Sequence, residues 1–230
     1  MNFQLSSKEK IIKAAFMEFA RFGYTACGIR QIAAAAGTSL GLVNHHFQSK
    51  KKLGSLIISF FWDYLDEYIE PYADVNQDPL LFDAIANRAQ NQFYLNGSFR
   101  QFYLDSLREG IYYDAFFYTE SKLIPFMKKK YLFPEDEDLI LLYNRIVPYT
   151  IEQTLVLRKE EGGFPSVSYQ DLPFFITRSA LERFVPAEEI LAADREAQKI
   201  VPLILSDLEE IPSDTFISRK CCELTNMSHT

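Results

Sequence analysis

The stretch "IRQIAAAAGTSLGLVNHHF", Ile29 to Phe47, holds two short apolar stripes on either side of one glycine. Ile29, Ile32, Ala33 and Ala36 recur at helical spacing and stop at Gly37, and Gly28 is an acceptable N-cap. Thr38-Ser39 can cap a second helix over 40–47, with Val43 and Phe47 at i, i+4 on one face. Two helices of about eight residues joined by the turn Gly37-Thr38-Ser39 make a helix-turn-helix, the unit whose second helix enters the DNA major groove. With Val43 and Phe47 turned inward, Leu40, Gly41, Asn44 and His45 lie on the outer face, which carries no negative charge. A glycine inside a helix costs about 1 kcal/mol relative to alanine. On an exposed face, Gly41 points to a large partner that approaches the backbone closely.

Outward from this stretch the pattern stays helical. Ser6-Ser7-Lys8-Glu9 is a capping box, and Ile12, Ala15, Phe16, Phe19 and Phe22 continue it at helical spacing to a stop at Gly23. Ser49 can cap a fourth helix that runs to Pro71. Further helices are predicted over 79–95, 98–109, 114–130, 136–161, 169–184 and 187–209, with kinks or boundaries at Pro125, Pro148 and Pro202. Strand alternation is absent over any useful length. The predicted fold is all-α, with about nine to ten helices: a three-helix N-terminal domain over 1–52, a larger helical domain over 53–210, and a tail over 211–230 that lacks periodicity and reads as disordered.

Charge divides along the same line. Residues 1–52 carry eight Lys and Arg against two Asp and Glu, a net of +6, while the whole chain is −7 and the remainder therefore −13. Such asymmetry fits an anionic partner for the N-terminal end. The longest uncharged apolar run, Leu53 to Trp62, is too short to span a membrane, and the first ten residues lack a signal peptide's apolar core. Cys27, Cys221 and Cys222 are odd in number and form no C-x-x-C spacing, which fits a reducing compartment. A cytoplasmic protein without membrane contact is expected.

The order and spacing of Ile12…Ala15-Phe16…Phe19…Phe22-Gly23-Tyr24, Ile29…Ile32-Ala33…Ala36-Gly37-Thr38-Ser39 and Gly41…Val43…His45…Phe47…Ser49-Lys50 resemble the DNA-binding domain of the tetracycline-repressor (TetR) family. The resemblance spans about 45 residues. It implies that Thr25, Thr38, His46 and Lys50 touch phosphates, and that Arg30, Leu40, Leu42, Asn44 and His45 lie near base edges, with Gly41 among them. The side chains suit those roles: Asn pairs with adenine, Arg with guanine, and Leu covers a thymine methyl. The resemblance further implies a ligand-responsive transcriptional regulator, a repressor released from its operator by a small molecule. It would be a homodimer through helices near 136–161 and 169–184, reading a near-palindrome in double-stranded DNA.

Residues 53–230 hold 28 of the 34 aromatics. Most will be core, but an apolar effector pocket would draw on some of them, and Tyr103, Tyr113, Phe117 and Tyr149 are the candidate ligand residues. An apolar or aromatic effector is expected. Adjacent helical residues point about 100° apart, so His45 and His46 do not make a metal pair. No catalytic constellation and no cofactor motif stands out, and an enzyme is not expected. Two other readings use the same residues: a helical small-molecule-binding protein that has lost DNA binding, and a helical interaction module. Neither requires the basic N-terminal segment or an outward-facing Gly41.

Overall fold

A computed structural model describes residues 5–116, 123–131 and 135–227. The described residues form helices and turns with no strand. In chain order the α-helices are α1 (Ser7–Ala26), α2 (Ile29–Ala35), α3 (Leu40–Phe47), α4 (Lys50–Ile69), α5 (Pro79–Asn96), α6 (Arg100–Arg108), α7 (Ile111–Ala115), α8 (Leu123–Lys130), α9 (Glu137–Leu141), α10 (Val147–Glu160), α11 (Leu172–Leu181), α12 (Ala187–Asp207) and α13 (Asp214–Met227). None is long and apolar enough to cross a membrane.

The chain divides into two compact units. The first comprises Met1–Tyr64, Gly97–Tyr118 and Glu209–Thr230; the second comprises Leu65–Asn96 and Thr119–Leu208. The predicted boundary at 52/53 thus falls within the first unit, because α4 continues its buried stripe without a break through Leu53, Ile57, Phe60 and Phe61.

In the first unit α1 starts with the predicted capping box. The Ser6 hydroxyl accepts the Glu9 N–H, and the Glu9 carboxylate accepts the Ser6 N–H. The helix buries Ile11, Ile12, Ala15, Phe16 and Phe19 completely. So wide an apolar face is needed because α2, α6 and α13 all pack on it. Phe19 stacks on Phe102 of α6 with centroids 4.8 Å apart, and Phe16 meets Phe99 edge-on at 6.3 Å.

The tail predicted as disordered is instead α13 over residues 214–227. Phe216, Ile217 and Cys221 are buried, and Phe216 lies 5.0 Å from the Tyr64 ring and 6.4 Å from that of Phe60. Lys13 pairs with Asp214 at 2.5 Å, and Lys220 with Asp63 at 2.8 Å. Counted over the whole first unit, twelve Lys and Arg face ten Asp and Glu, so the +6 of residues 1–52 is largely balanced by acidic residues of α4, α6, α7 and α13 and the loop before α13.

In the second unit α5 packs along α12 and also touches α8 and α11. Its Arg88, 3% exposed, gives Nε and Nη2 to the two carboxylate oxygens of Asp194 at 2.6 and 2.8 Å and Nη1 to the Gln170 carbonyl at 2.7 Å. A second apolar cluster gathers Leu80, Leu181, Val185 and Ile190, with Tyr143 edge-on to Phe184 at 5.0 Å. The helix predicted over 136–161 is two α segments around a π turn at Leu142–Ile146. Pro148 lies at the start of α10, where its missing N–H is tolerated. The helix predicted to start at 114 starts at Ile111 after Gly110, whose φ is 70°.

Asp83 of α5 accepts the Asn87 amide at 2.9 Å, and its surroundings push its carboxyl up to about 7, burial being the main cause and the Asp66 carboxylate a smaller one. The unfolded chain releases this proton near pH 4. The folded state therefore binds more protons between about pH 4 and 7, and stability falls as pH rises through that window. Asp83→Asn should remove this loss. Its urea midpoint should rise relative to wild type on going from pH 5 to 7.5, by at most about 1.4 kcal/mol per pH unit. Parallel pH profiles for the two proteins would contradict a raised Asp83.

Candidate nucleic-acid interface

Gly28 caps α2 in an extended conformation. After α2, Gly37 adopts φ 63°, and the Thr38 N–H reaches back to the Ala33 carbonyl at 2.9 Å. Ser39 then caps α3, its hydroxyl accepting the Leu42 N–H at 3.2 Å. Val43 and Phe47 are buried as their spacing predicts, and Ile32 and Ala33 bury the inner face of α2. The outer face of α3 is thereby fixed. Gly41, Asn44 and His45 are exposed, and Leu40 and Leu42 are half-buried beside them. Thr25 and Arg30 are exposed as well, while Thr38 is half-buried in the turn.

A β-carbon added at Gly41 would meet only the Ser39 hydroxyl, at 3.8 Å. The fold itself therefore does not demand a glycine there. The two histidines separate by face. His45 is exposed; His46 is half-buried, and its Nε2 lies 3.2 Å from the Ser7 hydroxyl at the start of α1. Burial, and then the nearby His45 and Lys8, hold His46 below the usual histidine range, so it is neutral at pH 7.

Lys50 has a role that sequence reasoning missed. Its ammonium donates to the Tyr24 and Cys27 carbonyls at 2.9 and 3.0 Å and sits 4.1 Å over the Tyr24 ring. It thus closes the C-terminal end of α1, which Cys27 caps. An ammonium has three N–H donors, so one remains for an anion. Lys51 pairs with Asp114 at 2.7 Å, and Lys52 donates to Gln48.

Asp105 of α6 was the other residue not singled out for this end of the molecule. It is 5% exposed, accepts the Thr25 N–H at 2.7 Å and the Gln101 amide at 2.7 Å, and lies beside Gly23. The loop between α1 and α2 is thus held by two charged side chains, Lys50 on its carbonyls and Asp105 on an N–H. Each comes from a distant part of the chain. Cys27, buried between them, has its thiol pushed up to about 11, chiefly by burial, which suits packing rather than reactivity.

The candidate ligand residues fall in both units. Tyr103 is fully buried in the first unit, 5.5 Å from the Tyr112 ring, and Tyr113 is half-buried, 6.4 Å from Phe116. Tyr149 is half-buried on α10 in the second unit, and Phe117 lies outside the described residues. Two buried polar groups were passed over. Among the described residues, the Trp62 indole N–H and both side-chain polar atoms of Asn91 have no hydrogen-bond partner. For Asn91 a signal exists in the sequence, since Ala84, Arg88, Asn91 and Leu95 form a single buried stripe at helical spacing.

A capped helix, a glycine turn and a second helix with an uncovered outer face define a helix-turn-helix DNA-binding module. Residues 11–54 match the family model described as bacterial regulatory proteins, tetR family, which supports a TetR-type DNA-binding transcriptional regulator. Members of the family bind operator DNA, form homodimers and bind small-molecule ligands. Among solved structures, the chain is similar to a gamma-butyrolactone receptor (ArpA-like protein) at 14% identity, covering 86% of this chain and 97% of that one with a TM-score of 0.37. It is similar to the TetR family protein CprB from S. coelicolor A3(2) at 14% identity, covering 85% and 97% with a TM-score of 0.36. A third is the fatty acid degradation regulator FadR from Bacillus halodurans, at 16% identity, 87% and 99% coverage and a TM-score of 0.31. No curated protein sequence matches the chain.

Proposed function

We propose that the chain is a cytoplasmic repressor that binds a near-palindromic operator as a homodimer and leaves it when a small apolar or aromatic molecule binds. The observation that carries the DNA-reading face is Gly41. It stands exposed in the first turn of α3, and nothing among the described residues would obstruct a side chain there. Asn44, His45, Leu40, Leu42 and Arg30 read bases; Thr25, Thr38, His46 and the third Lys50 proton hold phosphates. The second copy packs against α9 to α11, where Leu139, Leu142, Ile146 and Phe175 are exposed apolar residues. Ligand favours a spacing of the two recognition helices that no longer matches successive major grooves. The helical binding protein without DNA affinity is the reading this proposal competes with.

Selection of genomic fragments by the purified protein supplies the operator, and failure to enrich any palindrome would sink the proposal. On that operator Gly41→Ala should act with opposite signs. Stability rises by up to about 1 kcal/mol through helix propensity. Operator affinity falls about tenfold or more, because a methyl group now separates α3 from the groove. Equal affinity for both proteins would remove α3 from the interface. Binding should also weaken steeply with salt. Asn44→Ala should relax base preference by about 1–3 kcal/mol at one position, while Lys50→Ala should weaken all sequences alike. A flat dependence of affinity on salt would contradict the phosphate contacts.

A further inference from the structure

The second unit contains a polar group that its own fold does not satisfy. Asn91 lies on α5, the helix packed by α8, α11 and α12, and is only 3% exposed, yet among the described residues neither its Nδ2 nor its Oδ1 has a partner. A side-chain amide offers two donors and an acceptor with two lone pairs. Leaving such groups buried and unpaired is unfavourable, and native proteins rarely do so without a reason. The neighbouring polar residues are served. Arg88 donates three hydrogen bonds, two to Asp194 and one to the Gln170 carbonyl, and Asn87 donates to Asp83 and to Thr177 at 3.2 Å. Asn91 sits one turn beyond them with its donor and acceptor open.

The charges around α5 narrow the occupant. The buried cation Arg88 is already neutralised by Asp194, so it offers no counter-ion to a carboxylate. Glu152 of α10 is buried as well, and after burial itself it is the second influence that pushes the Tyr94 hydroxyl well above its ordinary value. Tyr94 follows Asn91 by three residues on α5, so a hydroxyl that stays protonated, not a cation, is its neighbour on that helix. We propose that Asn91 is the polar anchor of the effector site, and that it takes a neutral molecule presenting an acceptor and an N–H donor side by side, a carboxamide or lactam carried on an apolar body. The inference rests on the ligand-responsive reading above. It adds the anchoring residue and the ligand's chemistry.

Full-length protein and its Asn91→Leu variant would be heated with octanamide, ε-caprolactam, octanoate or methyl octanoate, and operator binding would be followed in parallel by fluorescence polarisation. Octanamide at saturating concentration should raise the wild-type melting temperature by about 2–5 °C and release operator DNA, with octanoate and methyl octanoate giving clearly smaller shifts. Asn91→Leu, which replaces an unpaired amide with an apolar side chain of similar size, should melt at or above wild type without ligand and lose the preference for octanamide over methyl octanoate. Three results would overturn the proposal: no amide preference in wild type, a preference that survives in Asn91→Leu, or a ligand-free Asn91→Leu that melts more than 5 °C lower. Wild type that binds operator but ignores amides refutes the anchor alone. Wild type that binds no operator refutes the regulator reading, whatever the thermal shifts show.

Discussion

Arg88→Met should lower the free energy of unfolding by about 3–5 kcal/mol, the usual loss when one member of a buried ion pair is removed. The reason is what stays behind. Asp194 is 6% exposed, and without the guanidinium it keeps only the Gln198 amide at 3.0 Å. The Gln170 carbonyl loses its donor at the same time. The pair itself need not be strongly stabilising, since both charges lose hydration when they are buried. Arg88→Met with Asp194→Leu should therefore recover most of the single-variant loss. Urea unfolding of the three proteins, with the double-mutant coupling as the readout, checks this. A single-variant loss below about 1 kcal/mol would mean that water reaches Asp194 and that the site is not closed.

The second large effect is expected at Gly23. Its backbone lies at φ 74°, ψ 178°, which glycine alone adopts readily, and an added β-carbon would sit 2.6 Å from the Gln101 Cγ and 3.0 Å from an Asp105 carboxylate oxygen. Strain of this kind costs about 1–3 kcal/mol before any clash is counted. Gly23→Ala should thus destabilise by about 2–4 kcal/mol. It should also weaken operator binding at temperatures where the protein is still folded, because relief of the clash moves Asp105 away from the Thr25 N–H. Gln101→Ala in the same background removes the nearest clashing atom and should restore part of both losses. If Gly23→Ala matches wild type in melting temperature and affinity, the close approach of α6 to this turn is wrong.

Much of the helix-turn-helix was legible because it is local. The capping box at Ser6, the glycine turn at Gly37, the Ser39 cap and the i, i+4 pair Val43 and Phe47 all act within a few residues, and the folded chain uses each of them. What stayed hidden depends on distant partners. Residues 214–227 read "DTFISRKCCELTNM", too polar to announce a helix, and the helix is supported by docking Phe216, Ile217 and Cys221 into the first unit. Lys50 reads from the sequence as a phosphate contact, yet in the fold its ammonium is held by the Tyr24 and Cys27 carbonyls. The +6 of residues 1–52 likewise overstates the charge of the folded unit, whose acidic members arrive from α4, α6, α7 and the segment from Glu209 onward. An orphan such as Asn91 is defined by the partner it lacks, which only a packed interior reveals.

The return of α13 to α1 has a consequence for how the protein is made. Ile11, Ile12 and Phe16 leave the ribosome at the start of synthesis, but the Phe216 and Ile217 that share their compact unit emerge some two hundred residues later. At typical elongation rates of about 5–20 residues per second, the apolar flank of α1 waits for roughly ten to forty seconds without its last neighbour. During that interval the nascent chain carries a recognition helix on an unfinished support. Completion of the unit that carries the helix-turn-helix therefore waits until Phe216 and Ile217 have been made.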